Sequence, residues 1–349
     1  MSEQPVGVGV VGIGWWSTPT AVAVKNNPKY RLVTCFTRTP EKRKKFAETY
    51  GCGESESYEE ILGNPDVAAV ILTTPNSVHG EQILQALRAG KHIVVEKPIT
   101  NTLPEAKEVV EAHKGSGLTL MTGHCYRRNA GHRTARRLID EGRLGKLIMA
   151  ECNFSVGVGQ SLTPDKWRWF DAECPGGPLT QIGIHHADTM AYLFGPIRSV
   201  TSRVSKLDTP AEIDDVHMSL VEFESGALGY MGCSFATPMV YTFNTFGNRA
   251  NLYMTTDRTD PAATDEMDRT TEIYLQEKGS AERNPVDLAP GDMTREQMDE
   301  FADCVRSGKA PETGVREGVL AAAFVHAAIR SAKEGRPVEI AEMMEGISL

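Results

Sequence analysis

Residues 6–17 read VGVGVVGIGWWS. A valine-rich run bounded by glycines passes straight into Gly12-x-Gly14-x-x-Ser17. Such a run predicts a strand buried on both faces, as in a parallel sheet. In the turn, the first glycine permits the tight bend. The second lets backbone come close to a pyrophosphate at a helix N-terminus. Ser17 is small enough for the third position, which packs helix on strand. Thr18 and Pro19 are then a candidate N-cap and first helical residue.

The next hundred residues give the turn its context. Apolar runs at 31–37, 67–73, 92–96 and 118–122 alternate with helical stretches at 40–50, 58–62, 77–89 and 104–114. This pattern predicts a doubly wound parallel sheet over residues 1–124. Beyond residue 125 the character changes. Helices are predicted at 134–141, 178–193, 294–306 and 315–334, and strands at 146–156, 197–206, 216–222, 227–235, 241–245 and 250–255. Residues 125–349 therefore read as an α+β domain with a large, mostly antiparallel open sheet. The polar stretch 256–292 reads as irregular. A chain of 349 residues is too long for one ordinary core, so two domains are expected in any case.

The end of the second strand decides the nucleotide. An acid there would hold the ribose 2′-hydroxyl of NAD. The segment reads Cys35-Phe36-Thr37-Arg38-Thr39, with no acid. Thr37 removes the charge that would repel a 2′-phosphate, and Arg38 offers a fork to bind one. NADP is favoured over NAD.

Net charge is −9, which argues against a nucleic-acid partner. Seven cysteines without a C-x-x-C pair suggest reduced thiols in a cytoplasmic protein rather than a disulfide framework or structural zinc. No signal peptide or membrane-spanning run is evident, so no membrane partner is expected.

Further motifs occur in order: TTPNSVH at Thr73–His79, EKP at Glu96–Pro98, GHCYRR at Gly123–Arg128, WRW at Trp167–Trp169, GGPLTQIGIHHAD at Gly176–Asp188, and a closing REGVLAAAFVHAAIRSAKEGRPVEI. In this order and spacing the chain resembles the Gfo/Idh/MocA oxidoreductases nearly end to end. The resemblance implies a Rossmann domain for NAD(P), a substrate domain whose sheet forms a homodimer or homotetramer, and an active site between domains. It implies hydride transfer between the cofactor and a secondary alcohol of a sugar, sugar derivative or cyclitol. A minority of similar enzymes cleave glycosides by oxidation and elimination, and a non-catalytic NAD(P)-binding regulator is a third reading. Lys97 matches the EKP lysine and would stabilise a developing alkoxide. Gly12, Ile13, Gly14, Trp15, Trp16, Thr37, Arg38, Thr74, Pro75, Asn76, His79 and Glu96 are the expected cofactor contacts, with Trp167 and Arg168 at the nicotinamide end. Arg127 and Arg168 are further candidates for the substrate side, and either could receive an acid-bearing substrate.

Two adjacent histidines compete for the acid–base role. On a helix, Gln181, His185 and Asp188 share a stripe at offsets 0, 4 and 7, while His186 points about 100° away. The similar enzymes carry Asp, His and Asp at these offsets, so His185 matches their catalytic histidine. An ordinary pKa of ~6.5 suits that role. His186 is left to packing or an outer contact with substrate. Gln181 stands where similar enzymes carry aspartate. It can bind substrate or imidazole but cannot take a proton, and it leaves His185 more often neutral. Adjacent helical histidines diverge, so no metal is expected.

Overall fold

The computed structural model describes residues 4–257 and 269–349. The chain forms two compact units. The first comprises residues up to His124, Thr294–Val319 and Ile347–Leu349. The second comprises Cys125–Met293 and Leu320–Gly346.

The first unit holds a six-stranded sheet in the order β3-β2-β1-β4-β5-β6. Its strands are β1 (Val6–Val11), β2 (Tyr30–Phe36), β3 (Gly53–Glu54), β4 (Ala69–Leu72), β5 (His92–Val95) and β6 (Leu120–Thr122). Every pairing is parallel. Helices α1 (Ser17–Lys25), α2 (Pro40–Tyr50), α3 (Tyr58–Gly63), α4 (His79–Arg88) and α5 (Leu103–His113) make the crossovers. β1 and β4 are buried at every residue, as their unbroken apolar runs require. Helix α1 starts one residue earlier than the expected Thr18 cap. Trp16 occupies the cap without a side-chain capping bond. Ser17 Oγ instead donates to the Gly14 carbonyl at 2.6 Å and closes the turn. Pro19 then falls within the first helical turn, where its missing N–H costs nothing.

The second unit holds α6 (Ala130–Asp140), α7 (Ile184–Phe194) and nine strands in the order β14-β13-β12-β11-β7-β10-β9-β8-β15. These are β7 (Leu147–Ser155), β8 (Ile197–Ser205), β9 (Val216–Phe223), β10 (Leu228–Ser234), β11 (Val240–Gly247), β12 (Ala250–Thr256), β13 (Thr271–Glu277), β14 (Asn284–Pro285) and β15 (Val338–Glu339). Only β7 with β10 pairs parallel among the described residues. Along β9 one face is buried and the other exposes Met218 and Leu220, at 58% and 65%.

Two expectations need correction. The stretch 256–292 is not irregular throughout. β13 pairs with β12 from Thr256↔Thr271 to Ala250↔Glu277. Its residues TEIYLQE bury Thr271, Ile273 and Leu275 in alternation, a period-2 signal that the polar surroundings concealed. Residues 258–268 of that stretch lie outside the described residues. The second domain also does not run unbroken from 125 to 349. Helix α8 (Met293–Ser307) buries Met298, Phe301 and Ala302 in the core beneath β1 and β2. Asn27 Nδ2 donates to Asp299 Oδ1 at 2.8 Å, and Tyr30 Oη donates to the Met298 carbonyl. The remaining helices are α9 (Val315–Glu334) and α10 (Ile340–Met343).

Candidate active site

In the first unit the glycine turn has the shape a dinucleotide needs. Gly12 has φ +87° and packs on the next loop: an added Cβ would lie 2.8 Å from the Thr73 and Thr74 backbone. Gly14 is exposed beside it, Ile13 and Trp16 are half-buried, and Trp15 is 49% exposed. No carboxylate ends β2. Thr37 is half-buried and Arg38 exposed, with no side-chain partner among the described residues. These residues fit NAD(P).

The TTPNSVH segment supports the turn more than it lines it. Thr74 Oγ1 donates to Gln82 Oε1 at 2.6 Å. Pro75 is half-buried, and Asn76, at 3% exposure, starts the turn ahead of α4. His79 is fully buried, with Nδ1 2.8 Å from the Pro98 carbonyl and Nε2 3.0 Å from the Thr74 carbonyl. It ties this loop to the one carrying Lys97. The expected cofactor contact from His79 is therefore replaced by a brace behind the surface. Burial lowers its pKa.

The peptide between Lys97 and Pro98 is cis. Lys97 is half-buried. Glu96 is buried, and an added Cβ on Gly123 would lie 2.7 Å from its Oε1. The Trp16 indole donates to this carboxylate. Burial raises the Glu96 pKa to about 7, with Lys97 and the Trp16 bond holding it down. Glu96 thus links the glycine turn to the lysine loop.

In the second unit the predicted helix 178–193 is not uniform. Leu179–Gly183 forms a π-helical turn that leads into α7. Two left-handed glycines, Gly176 and Gly177, precede it, and Thr180 Oγ1 donates back to the Pro175 carbonyl. That side-chain bond competes with α-helical pairing. The wider turn changes the angle between Gln181 and His185, so the α-helical stripe starts only at Ile184.

His185 and His186 diverge as expected. His185 is 4% exposed and stacks on Tyr126 at 4.1 Å between ring centres. His186 is fully buried among Phe154, Tyr241 and Phe243, with ring centres 5.0–6.0 Å away. Burial, reinforced by His132, pushes the His186 pKa down to about 3. It stays neutral and belongs to the core rather than to a substrate surface. Tyr126 was missed in the sequence, although GHCYRR placed it next to Arg127.

Arg127 is also taken up internally. Its Nε and Nη2 donate to Asp188 Oδ2 and Oδ1 at 2.9 and 2.5 Å, a two-point ion pair with exposures of 7% and 2%. It is a brace for α7, not a free substrate contact. Arg168 is the exposed arginine. It stands in a short turn over residues 167–169, with its guanidinium 4.3 Å from the half-buried Trp167 ring. Its Nε donates to Gln181 Oε1 at 3.0 Å. Among the described residues no cluster of three His, Cys, Asp or Glu could hold a metal ion.

A unit built to hold a dinucleotide and a second unit carrying an aromatic-backed histidine define an oxidoreductase of two-domain type. Residues 6–124 match the model of the oxidoreductase family with an NAD-binding Rossmann fold, and residues 132–258 match the GFO/IDH/MocA C-terminal domain. The chain is 31% identical over 314 residues to 1,5-anhydro-D-fructose reductase of Ensifer adhaerens, covering 88% of this chain and 91% of that one. It is 30% identical over 299 residues to scyllo-inositol 2-dehydrogenase (NAD(+)) of Bacillus subtilis, covering 82% and 81%. An oxidoreductase from Desulfitobacterium hafniense has the same fold, with TM-score 0.93 and 36% identity over 99% of this chain and 100% of that one. The chain belongs to the Gfo/Idh/MocA family of NAD(P)-binding oxidoreductases.

Proposed function

We propose that this protein transfers hydride between NADP(H) and a secondary alcohol of a sugar, sugar derivative or cyclitol. His185 takes the hydroxyl proton in oxidation and returns it in reduction, while the Lys97 ammonium stabilises the oxyanion. The bound nicotinamide supplies the hydride acceptor or donor. The observation that carries the reading is the contrast between the two histidines. Tyr126 holds the His185 ring flat from one side, while His186 is enclosed and kept neutral. The relatives named for sugar and inositol substrates support the substrate class.

The choice of NADP rests on Thr37 and the exposed Arg38, where an acid would otherwise meet the 2′-phosphate. A homo-oligomer through the open sheet face is part of the same proposal. Met218, Leu220 and Leu228 are more than half exposed on that face, and Leu220 lies directly opposite Tyr230. A cytoplasmic location fits the free thiols. Among the described residues no helix is long and apolar enough to cross a membrane.

A panel of sugars and cyclitols with NADP and with NAD, followed at the reduced-nicotinamide absorbance, tests the activity. His185→Ala is expected to lose at least ~100-fold in turnover while keeping cofactor affinity within about 2-fold. Normal turnover in that variant would remove His185 from the mechanism.

A further inference from the structure

One short turn, Cys125–Arg128, grips helix α7 at two places on one face. The Arg127 fork holds Asp188, and the Tyr126 ring lies against the His185 ring three residues earlier. The ring centres are 4.1 Å apart and the planes 29° from parallel. Tyr126 is itself fixed. Its carbonyl accepts from the Asn129 N–H at 3.0 Å and lies 2.8 Å from His132 Nδ1, and its ring packs on Phe154 and Tyr241. His185 is buried, and burial disfavours an imidazolium. An acid–base group must nevertheless take up and release a proton in each turnover. The negative face of an electron-rich ring attracts a cation within about 6 Å of its centre, and this one is well inside that range. The charged groups of this corner are paired or held neutral. Arg127 and Asp188 answer each other, and Arg168 donates to the neutral Gln181. Burial keeps His186 of α7 and His132 of α6 uncharged at neutral pH. β7 and β11 contribute the Phe154 and Tyr241 rings.

We infer that Tyr126 is a positioning residue for the acid–base step: its ring face stabilises the imidazolium of His185 and keeps that ring aimed while it charges and discharges. This deepens the hydride-transfer reading and rests on it for the role of His185. The proton passes between the substrate hydroxyl and the imidazole, and Tyr126 exchanges none. With Gln181 neutral, the aromatic face supplies part of the stabilisation that a carboxylate at that position would give.

The test titrates the His185 ring by NMR in the full chain with isotope-labelled histidine and no cofactor. The signal is assigned by its absence in His185→Ala. Tyr126→Leu is expected to lower the titration midpoint by roughly 0.5 to 1 pH unit, a three- to tenfold loss of proton affinity. Tyr126→Phe keeps the ring face and should stay close to the wild type. Tyr126→Phe with a fully fluorinated ring keeps the shape but reverses the charge of the face, so its midpoint should fall at least as far as that of Tyr126→Leu. That variant carries the test alone if Tyr126→Leu fails to fold, which thermal melts show. An unmoved midpoint with the fluorinated ring overturns the inference. So does a shift in Tyr126→Phe as large as in Tyr126→Leu, which would assign the effect to the hydroxyl. In turnover with NADP and the fastest sugar or cyclitol of the panel, the acid limb of kcat/KM for oxidation should move down with the midpoint. An unmoved midpoint sinks the Tyr126 inference whatever the turnover. A moved midpoint with an unmoved limb, or with no turnover on any sugar, sinks the role of His185 on which it rests.

Discussion

Replacing Glu96 with glutamine tests how the buried carboxylate near the glycine turn is held. In the folded protein its pKa is raised from 4.5 to about 7, chiefly by burial. The folded state therefore binds this proton more tightly than the unfolded chain does. The resulting stability is fully present below pH 4.5 and is lost as pH rises to about 7. At ~1.4 kcal/mol per pH unit across that window, the carboxylate costs the folded state ~3 kcal/mol once ionised. Glutamine keeps an acceptor for the Trp16 indole and cannot ionise. Any fixed cost of its extra N–H groups is independent of pH and drops out of the comparison. Urea unfolding of the cofactor-free wild type and Glu96→Gln at about pH 5, 6, 7 and 8 should show the variant gaining ~2–3 kcal/mol on the wild type across that range. A constant gap would refute burial as the controlling effect. A gap moving the other way would mean that Lys97 and Trp16 outweigh it.

Three further outcomes are expected. Arg127→Met should cost ~3–5 kcal/mol by removing the buried two-point cation from the Asp188 carboxylate, and Arg127→Met/Asp188→Leu should recover much of that in chemical denaturation. Additive losses would deny the coupling. Arg38→Ala should raise KM for NADP by about 10-fold or more while changing KM for NAD less than about 2-fold; equal changes in steady-state kinetics would remove Arg38 from cofactor choice. Leu220→Glu on the open sheet face should shift the sedimentation profile towards monomer, and an unchanged profile would place any subunit contact elsewhere.

The first sheet was legible because its strands are continuous apolar runs separated by helices of ordinary length, a pattern that only a parallel, doubly covered sheet satisfies. β13 was not, because its alternating buried residues lie within a long polar stretch. The allegiance of α8 was also hidden. Met298 and Phe301 look like any helical apolar stripe, and only three-dimensional packing assigns them to the core of β1 and β2. At the site, helical spacing separated His185 from His186 because both lie within α7. The same spacing did not foresee the π-helical turn at Gln181. The two arginines looked alike in sequence. A buried aspartate partner for Arg127 and a neutral one for Arg168 distinguish them, and both are contacts across many residues that no local pattern records.

The allegiance of α8 also bears on how the chain is made. The nucleotide-binding unit looks complete when residue 124 leaves the ribosome, yet its core lacks Met298, Phe301 and Ala302 until about 180 more residues have been synthesised. Burying one phenylalanine contributes ~2–3 kcal/mol, a sizeable part of the margin for a unit of this size. During synthesis the early sheet therefore waits with an uncovered apolar surface beneath β1 and β2. A fragment ending at residue 124 carries the same exposed surface permanently, so expressing the nucleotide-binding unit alone requires grafting residues 294–319 back onto it.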